Sequence, residues 1–184
     1  MLTAGRLLVA SAAMVDPNFE HTVVFMVDHT DDGALGVVLN RPSDTDVDEV
    51  LPNWRALVIP PASVFIGGPV QVGDAVIGLA RVRSSSDALD GWQPLLGPVG
   101  SVDFATDPLD ALAHLEGVRV FVGYAGWGPG QLEAELAQGG WLVLDALPDD
   151  LLSDAPSTLW RRVLRRQTGE VAMTANQPPD PSVN

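Results

Sequence analysis

The chain contains no cysteine, which excludes disulfides and thiolate metal sites and fits a reducing cytosol. Lysine is missing too: all ten basic residues are arginines, against 24 Asp and Glu, for a formal charge of −14. The positive charge is also unevenly placed. Four arginines sit in "RRVLRR" at 161–166, so residues 1–156 hold 22 acids against six arginines, a local balance of −16. Such a body repels nucleic acid and anionic membranes, which argues against direct, specific DNA binding. No apolar run approaches the ~18 to 20 residues that a membrane helix needs. The first residues imitate a secretory signal with Arg6, "LLVA" and "SAA", but the apolar stretch is too short and reads as a first strand. With no lysine, thiol or paired general base in view, binding is favoured over catalysis, and no catalytic residue, metal or cofactor is assigned.

What is present suits one domain with a full core: 184 residues, 46% of them apolar. Short β-branched runs at 6–11, 22–28, 34–40, 63–68, 74–83, 95–104, 118–124 and 141–146 read as strands. Three stretches read as helices. "DTDVDEVLPNW" begins with acids that suit a helix N-terminus. "DPLDALAHLEG" has Pro108 in its first turn, leucines at 109, 112 and 115, and Gly117 as a stop. "STLWRRVLRR" places Leu159, Trp160, Val163 and Leu164 on one face and four arginines on the other. Strands and helices intermix, which defines an α/β or α+β domain. From Gln167 onward, three prolines and the lack of any period read as a disordered tail, 167–184.

One segment tempts a nucleotide reading: "GYAGWGPGQLEAEL" at 123–136 follows an apolar strand and is rich in glycine. Its glycines are out of register with G-x-G-x-x-G, and no Lys-Ser/Thr follows for a P-loop. Asp145 does fall where a ribose-binding acid would stand. Glu133 and Glu135 nevertheless place negative charge where a pyrophosphate would approach. A structural account covers more of the segment. Gly128 can cap a helix, Pro129 take its first position and Gln131 reach back to the cap N–H, while Leu132 and Leu136 face the core. Trp127 then covers the end of the core or stands exposed as a platform, and both readings remain open at this level.

Other constellations are weaker. Asp44, Asp46 and Asp48 begin like a calcium loop, but Glu49 and Arg55 occupy positions that require Gly and Glu. "DHTDD" at 28–32 packs one histidine and three acids into a turn too short to wrap an ion. Ser101 lacks the nucleophile-elbow pattern, the serines at 84–86 read as a turn, and His114 reads as a partly buried helix residue.

Three strand ends carry the remaining signal. "VVLNRP" delivers Asn40 and Arg41, "VFIGGPV" delivers Gly67 and Gly68, and "VFVGYAGWGPGQ" delivers Trp127 and Gln131. Ligands of open α/β sheets gather beyond such ends. If the turns meet, they line one site with His29 on its rim, where Arg41 favours a small anionic or carbonyl-bearing ligand. The glycines equally satisfy a tight turn with no ligand, and Arg41 can cap an acidic loop.

Three ordered motifs, "GRLLVASAAMVDPNFEHTVVFMVDHTDDGALGVVLNRP", "GGPV" and "GYAGWGPGQLEAEL…WLVL", resemble the YqgE/AlgH family, also called UPF0301, over about residues 5–166. The resemblance implies a three-layer α/β sandwich over 1–166 with a smaller α–β plait inserted, here at about 72–120. Its activity is unsettled, and members have been labelled transcriptional regulators. The chain departs from the usual pattern at Ser11-Ala12-Ala13, where Thr-Pro is common, at Asp28 for Glu, and at His21 for Arg. The expectation is therefore a cytosolic, indirect regulator or adaptor that binds a protein partner or a small anionic ligand. The alternative is an enzyme or cofactor-binding protein with a small-anion pocket at the strand ends.

Overall fold

The computed structural model describes residues 3–83 and 89–175; the serines at 84–86 lie outside the described residues. Alternation organises the first sheet. In β1 (Arg6–Ala10), β2 (Val23–Thr30) and β3 (Gly33–Val38), Leu7, Val9, Val23, Phe25 and Val37 point to one face, while Leu8, Ala10, Val24, Met26 and Val38 point to the other. Both faces are apolar, so both must be covered. Two further strands, β10 (Ala125–Trp127) and β11 (Trp141–Asp145), complete an antiparallel sheet of order β10-β3-β2-β1-β11.

The second sheet contains β4 (Pro42–Asp46), β5 (Ser63–Ile66), β6 (Val76–Val82), β7 (Trp92–Leu96), β8 (Val99–Val102) and β9 (Leu115–Val122). Its order is β4-β5-β9-β6-β8-β7, with β5 and β9 parallel and the other neighbours antiparallel. The stretch 72–120 thus supplies β6, β7, β8 and most of β9 to a sheet that it shares with β4 and β5. The protein is mixed α/β.

Helices cover the faces. The helices α1 (Val47–Val50) and α2 (Pro108–His114), with a 3-10 turn at Pro52–Leu57, pack on the outer face of the second sheet, where Val47, Trp54, Leu57 and Ala111 are buried. Both helices start as their sequences dictate. Asp46 and Glu49 form a capping box, and Asp107 Oδ1 accepts from the Leu109 N–H at 2.8 Å ahead of Pro108. On the outer face of the first sheet, α3 (Gln131–Ala137) buries Leu132 beside Trp127 and Trp141. Three helices, α4 (Pro148–Leu151), α5 (Pro156–Arg165) and α6 (Glu170–Thr174), join the core shared by the two sheets. There Leu159, Val163 and Leu164 of α5 meet Leu7, Phe25, Phe65, Leu79 and Phe121, each side chain contributing about 1.5–3 kcal/mol on burial.

Several elements differ from their sequence reading. The run 95–104 is not one strand but parts of β7 and β8, which turn back on each other at Gly97, φ +55. Two strands, β4 ("PSDTD") and β10, carry no apolar alternation and form as sheet edges, where Pro42 is tolerated. The leucine stripe of α2 is shorter than its spacing suggests. Leu109 is 75% exposed and Leu115 already belongs to β9. Residues 170–174, within the stretch that composition reads as a tail, form α6, and Ala175 is buried against α5. In α5 the buried face is the one its spacing predicts: Leu159, Trp160, Val163 and Leu164 are all buried.

Candidate functional site

Just beyond the end of β3 at Val38 stand Asn40 and Arg41, whose side chains organise the neighbouring loop. Asn40 Oδ1 accepts from the Val23 N–H at 2.9 Å, and Nδ2 donates to the His21 carbonyl at 2.9 Å. Arg41 Nη2 donates to the carbonyls of Pro17 and Glu20 at 3.2 and 2.9 Å. Held in this way, His21 adopts φ +55, an uncommon conformation for a residue with a side chain. Its ring meets Trp160 of α5 edge-on, centroids 4.7 Å apart.

Between this loop and α5 lies a cavity of about 420 Å³ lined by Glu20, His21, Asn40, Arg41, Ser157, Trp160 and Arg161. Its fixed charges are two guanidinium groups against one carboxylate, an inversion of the −14 of the whole chain. Neither Arg41 nor Arg161 takes part in an ion pair among the described residues. The first turn of α5, with Pro156 leading and no side-chain cap, presents Ser157 to the same space. Backbone N–H groups there add positive potential. The arrangement can hold an anionic group by two arginines and a helix end, with the Trp160 ring as a wall.

The other sequence candidates lie elsewhere and do not line this cavity. Gly67 joins the sheets: its N–H donates to the Val122 carbonyl and its carbonyl accepts from the Val38 N–H, both at 2.8 Å. Its N–H is therefore not open to a ligand. Gly68 has φ +153, and a Cβ on it would overlap the backbone of Tyr124 and Ala125. Close passage of two chain segments is what requires the glycine pair.

Trp127 is buried, stacked on Phe19 at 6.1 Å and edge-on to Trp141 at 6.1 Å. Its Nε1–H donates to Glu135 Oε2 at 3.0 Å, the oxygen that also accepts from Trp141 Nε1 at 2.8 Å. Gln131 Nε2 donates to the second Glu135 oxygen at 3.0 Å. The helix begins two residues later than Gly128–Pro129 predict, because Gly130 at φ +73 is its cap. Gln131 Oε1 still accepts from the Gly128 N–H at 3.1 Å. Glu135, which sequence places beside the stripe of α3, is a hub for two indoles.

His29 is buried, not on a rim. The Thr3 N–H donates to its Nδ1 at 3.2 Å, Thr3 Oγ1 lies 2.8 Å from the same nitrogen, and Nε2 lies 2.8 Å from Glu133 Oε1. Because Nδ1 accepts from a backbone amide, the ring proton sits on Nε2 and is donated to Glu133. The hydrogen bond from its own backbone N–H, and then that from His29, holds the Glu133 carboxyl below its usual range. The Thr–His–Glu chain has the form of a hydrolytic triad, but Thr3 is 0% exposed, so no substrate reaches its hydroxyl. Its partners stand 26 and 104 residues from His29, and nothing local in the sequence signals them.

These observations define a mixed α/β, two-sheet protein with a basic cavity at one end of α5. The model of the AlgH-like family (DUF179) matches residues 7–172. A UPF0301 protein of Streptomyces coelicolor is 49% identical over 183 residues, covering 98% of this chain and 94% of the relative. The crystal structure of a Corynebacterium diphtheriae protein superposes with a TM-score of 0.88 at 31% identity, over 95% of this chain and 92% of that one. The solution structure of AlgH from Pseudomonas aeruginosa superposes with a TM-score of 0.65 at 33% identity, over 95% and 94%. The chain belongs to the AlgH-like, UPF0301 family. No helix among the described residues is long and apolar enough to cross a membrane.

Proposed function

We propose that this protein is a non-catalytic binding protein, an adaptor or indirect regulator, that receives an anionic group of a small ligand or partner between Arg41 and Arg161. The observation that carries this reading is the reversal of charge in the cavity at the start of α5, within a chain of −14. Two guanidinium groups, a first turn of α5 without a side-chain cap and an indole wall favour an anion that also offers a flat or apolar surface. Asn40 positions the site by fixing His21 and the start of β2 rather than by meeting the ligand. The acidic body argues against duplex DNA as the partner.

Inorganic phosphate is a suitable probe. Its titration into the full chain, followed by amide NMR, should shift Ser157, Arg161 and His21 saturably, and Arg161→Ala should abolish the response without lowering stability. A native mass spectrum of freshly purified protein should show an anionic adduct that Arg161→Ala loses. No response from these residues at about 10 mM phosphate, with no adduct, would sink the reading.

A further inference from the structure

Residues 117, 119 and 121 of β9 face the same way, because strand side chains alternate. Phe121 belongs to the core between the sheets, and Gly117 lines a cleft of about 800 Å³ at the end of that core. Arg119 lies between them and is 1% exposed. Its Nη1 donates to the Ser153 carbonyl and its Nη2 to the Pro60 carbonyl, each at 2.6 Å, and both residues line the cleft. The guanidinium also rests over the Phe65 ring at 4.3 Å.

What Arg119 lacks among the described residues is a direct ion pair; Asp154 acts on it only from a distance. Its Nε–H has no hydrogen-bond partner among those residues. Burial lowers its pKa to about 10, with Asp154 opposing the shift, so the group stays charged at neutral pH. A buried charge without a direct ion pair is costly, and the fold keeps one behind Pro60 and Ser153, two residues that line the cleft.

The charges of the cleft itself mostly cancel. Arg81 pairs with Asp149 and Arg166 with the buried Asp150, each at 2.6 Å. Arg162 is left over, with Nη2 donating to Ser153 Oγ at 3.0 Å, and Glu116 and Asp154 have no ion pair among the described residues. Ile59, Leu147 and Leu152 supply apolar wall.

We propose that this cleft binds a monocarboxylate on an apolar stem, the carboxylate against Arg162 and above Arg119, the stem along Ile59, Leu147 and Leu152. The carboxylate answers Arg162, the lining arginine without an ion pair among the described residues. A dianion meets Glu116 and Asp154 as well, and their repulsion rejects it. The same chemistry is offered by a free aliphatic acid and by the C-terminal carboxylate of an apolar peptide. The site is separate from the Arg41–Arg161 cavity, since α5 turns Arg161 to one and Arg162 to the other.

NMR titration of the full chain, following backbone amides and arginine Nε–H signals, tests this with hexanoate, hexanamide, inorganic phosphate, and acetyl-Ala-Leu as acid and as amide. The two acids should shift Gly117, Ser153 and the Arg119 Nε–H saturably, while both amides and phosphate leave them unmoved. Arg162→Gln, an exposed substitution that the fold tolerates, should weaken hexanoate about tenfold or more, and Arg161→Gln should leave it unchanged. Tighter binding of the dipeptide acid than of hexanoate supports a chain terminus as the ligand; the reverse order supports a free acid. The proposal is overturned if no carboxylate saturates these signals, if hexanamide or phosphate moves them as strongly, or if Arg161→Gln rather than Arg162→Gln abolishes the response.

Discussion

Replacing Trp127 by alanine tests whether that ring is core. The indole is 5% exposed, stacked on Phe19 and met edge-on by Trp141, so truncation leaves a cavity lined by aromatic rings and Leu132. Aromatic-to-alanine changes at such sites cost about 3–5 kcal/mol. The lost Nε1 hydrogen bond adds little, because Glu135 Oε2 keeps its bond from Trp141 and Oε1 keeps that from Gln131. With a urea m-value of roughly 1–3 kcal/mol/M, the midpoint should fall by about 1 M or more. Trp127→Phe keeps the stacking and loses the donor, so its cost should stay near 1–2 kcal/mol. The assay is equilibrium urea unfolding followed by far-UV circular dichroism, which does not depend on the removed fluorophore. A Trp127→Ala midpoint within error of wild type would refute the packing argument and return Trp127 to the role of a binding surface.

Three further outcomes follow from particular contacts. Gly68→Ala puts a Cβ into the Tyr124–Ala125 backbone at φ +153, and should yield little folded protein on expression, whereas Gly73→Ala, with open space around it, should behave as wild type. Arg166→Ala leaves the Asp150 carboxylate, 2% exposed, without its bidentate partner, and should cost about 3 kcal/mol by thermal or urea unfolding at neutral pH. Glu133 titrates below the usual 4.5 in the folded protein, so its contribution is present above that value and is lost as pH falls through the lowered one. Glu133→Gln should therefore lower stability at neutral pH and flatten the loss that sets in as pH falls below the usual carboxylate range, and an unchanged profile of urea midpoints would count against the His29 contact.

Much of the architecture is legible in the chain itself because backbone periodicity is local. Leu7, Leu8, Val9 and Ala10 show a strand buried on both faces, and Leu159, Trp160, Val163 and Leu164 show which side of α5 is buried, since spacing alone sets which side chains share a face. The family is legible for the same reason: its motifs are contiguous. Local spacing carries no information about edges or partners. The polar strand β4 and the glycine-rich β10 exist because β5 and β3 offer them hydrogen bonds. Gly67 and Gly68 read from sequence like a turn or a ligand loop, and only the approach of residues 122–125 shows why no side chain fits there. Arg119 inside "VRVFV" marks an oddity in an apolar run, but its surroundings depend on Pro60, Phe65 and Ser153, contributed from 59, 54 and 34 positions away. Asn40 and Arg41 reach Trp160 and Arg161 across about 120 residues, and chain closure, which no local pattern encodes, decides that this meeting makes the cavity while Trp127 is drawn into packing and Gln131 into a hydrogen bond with Glu135.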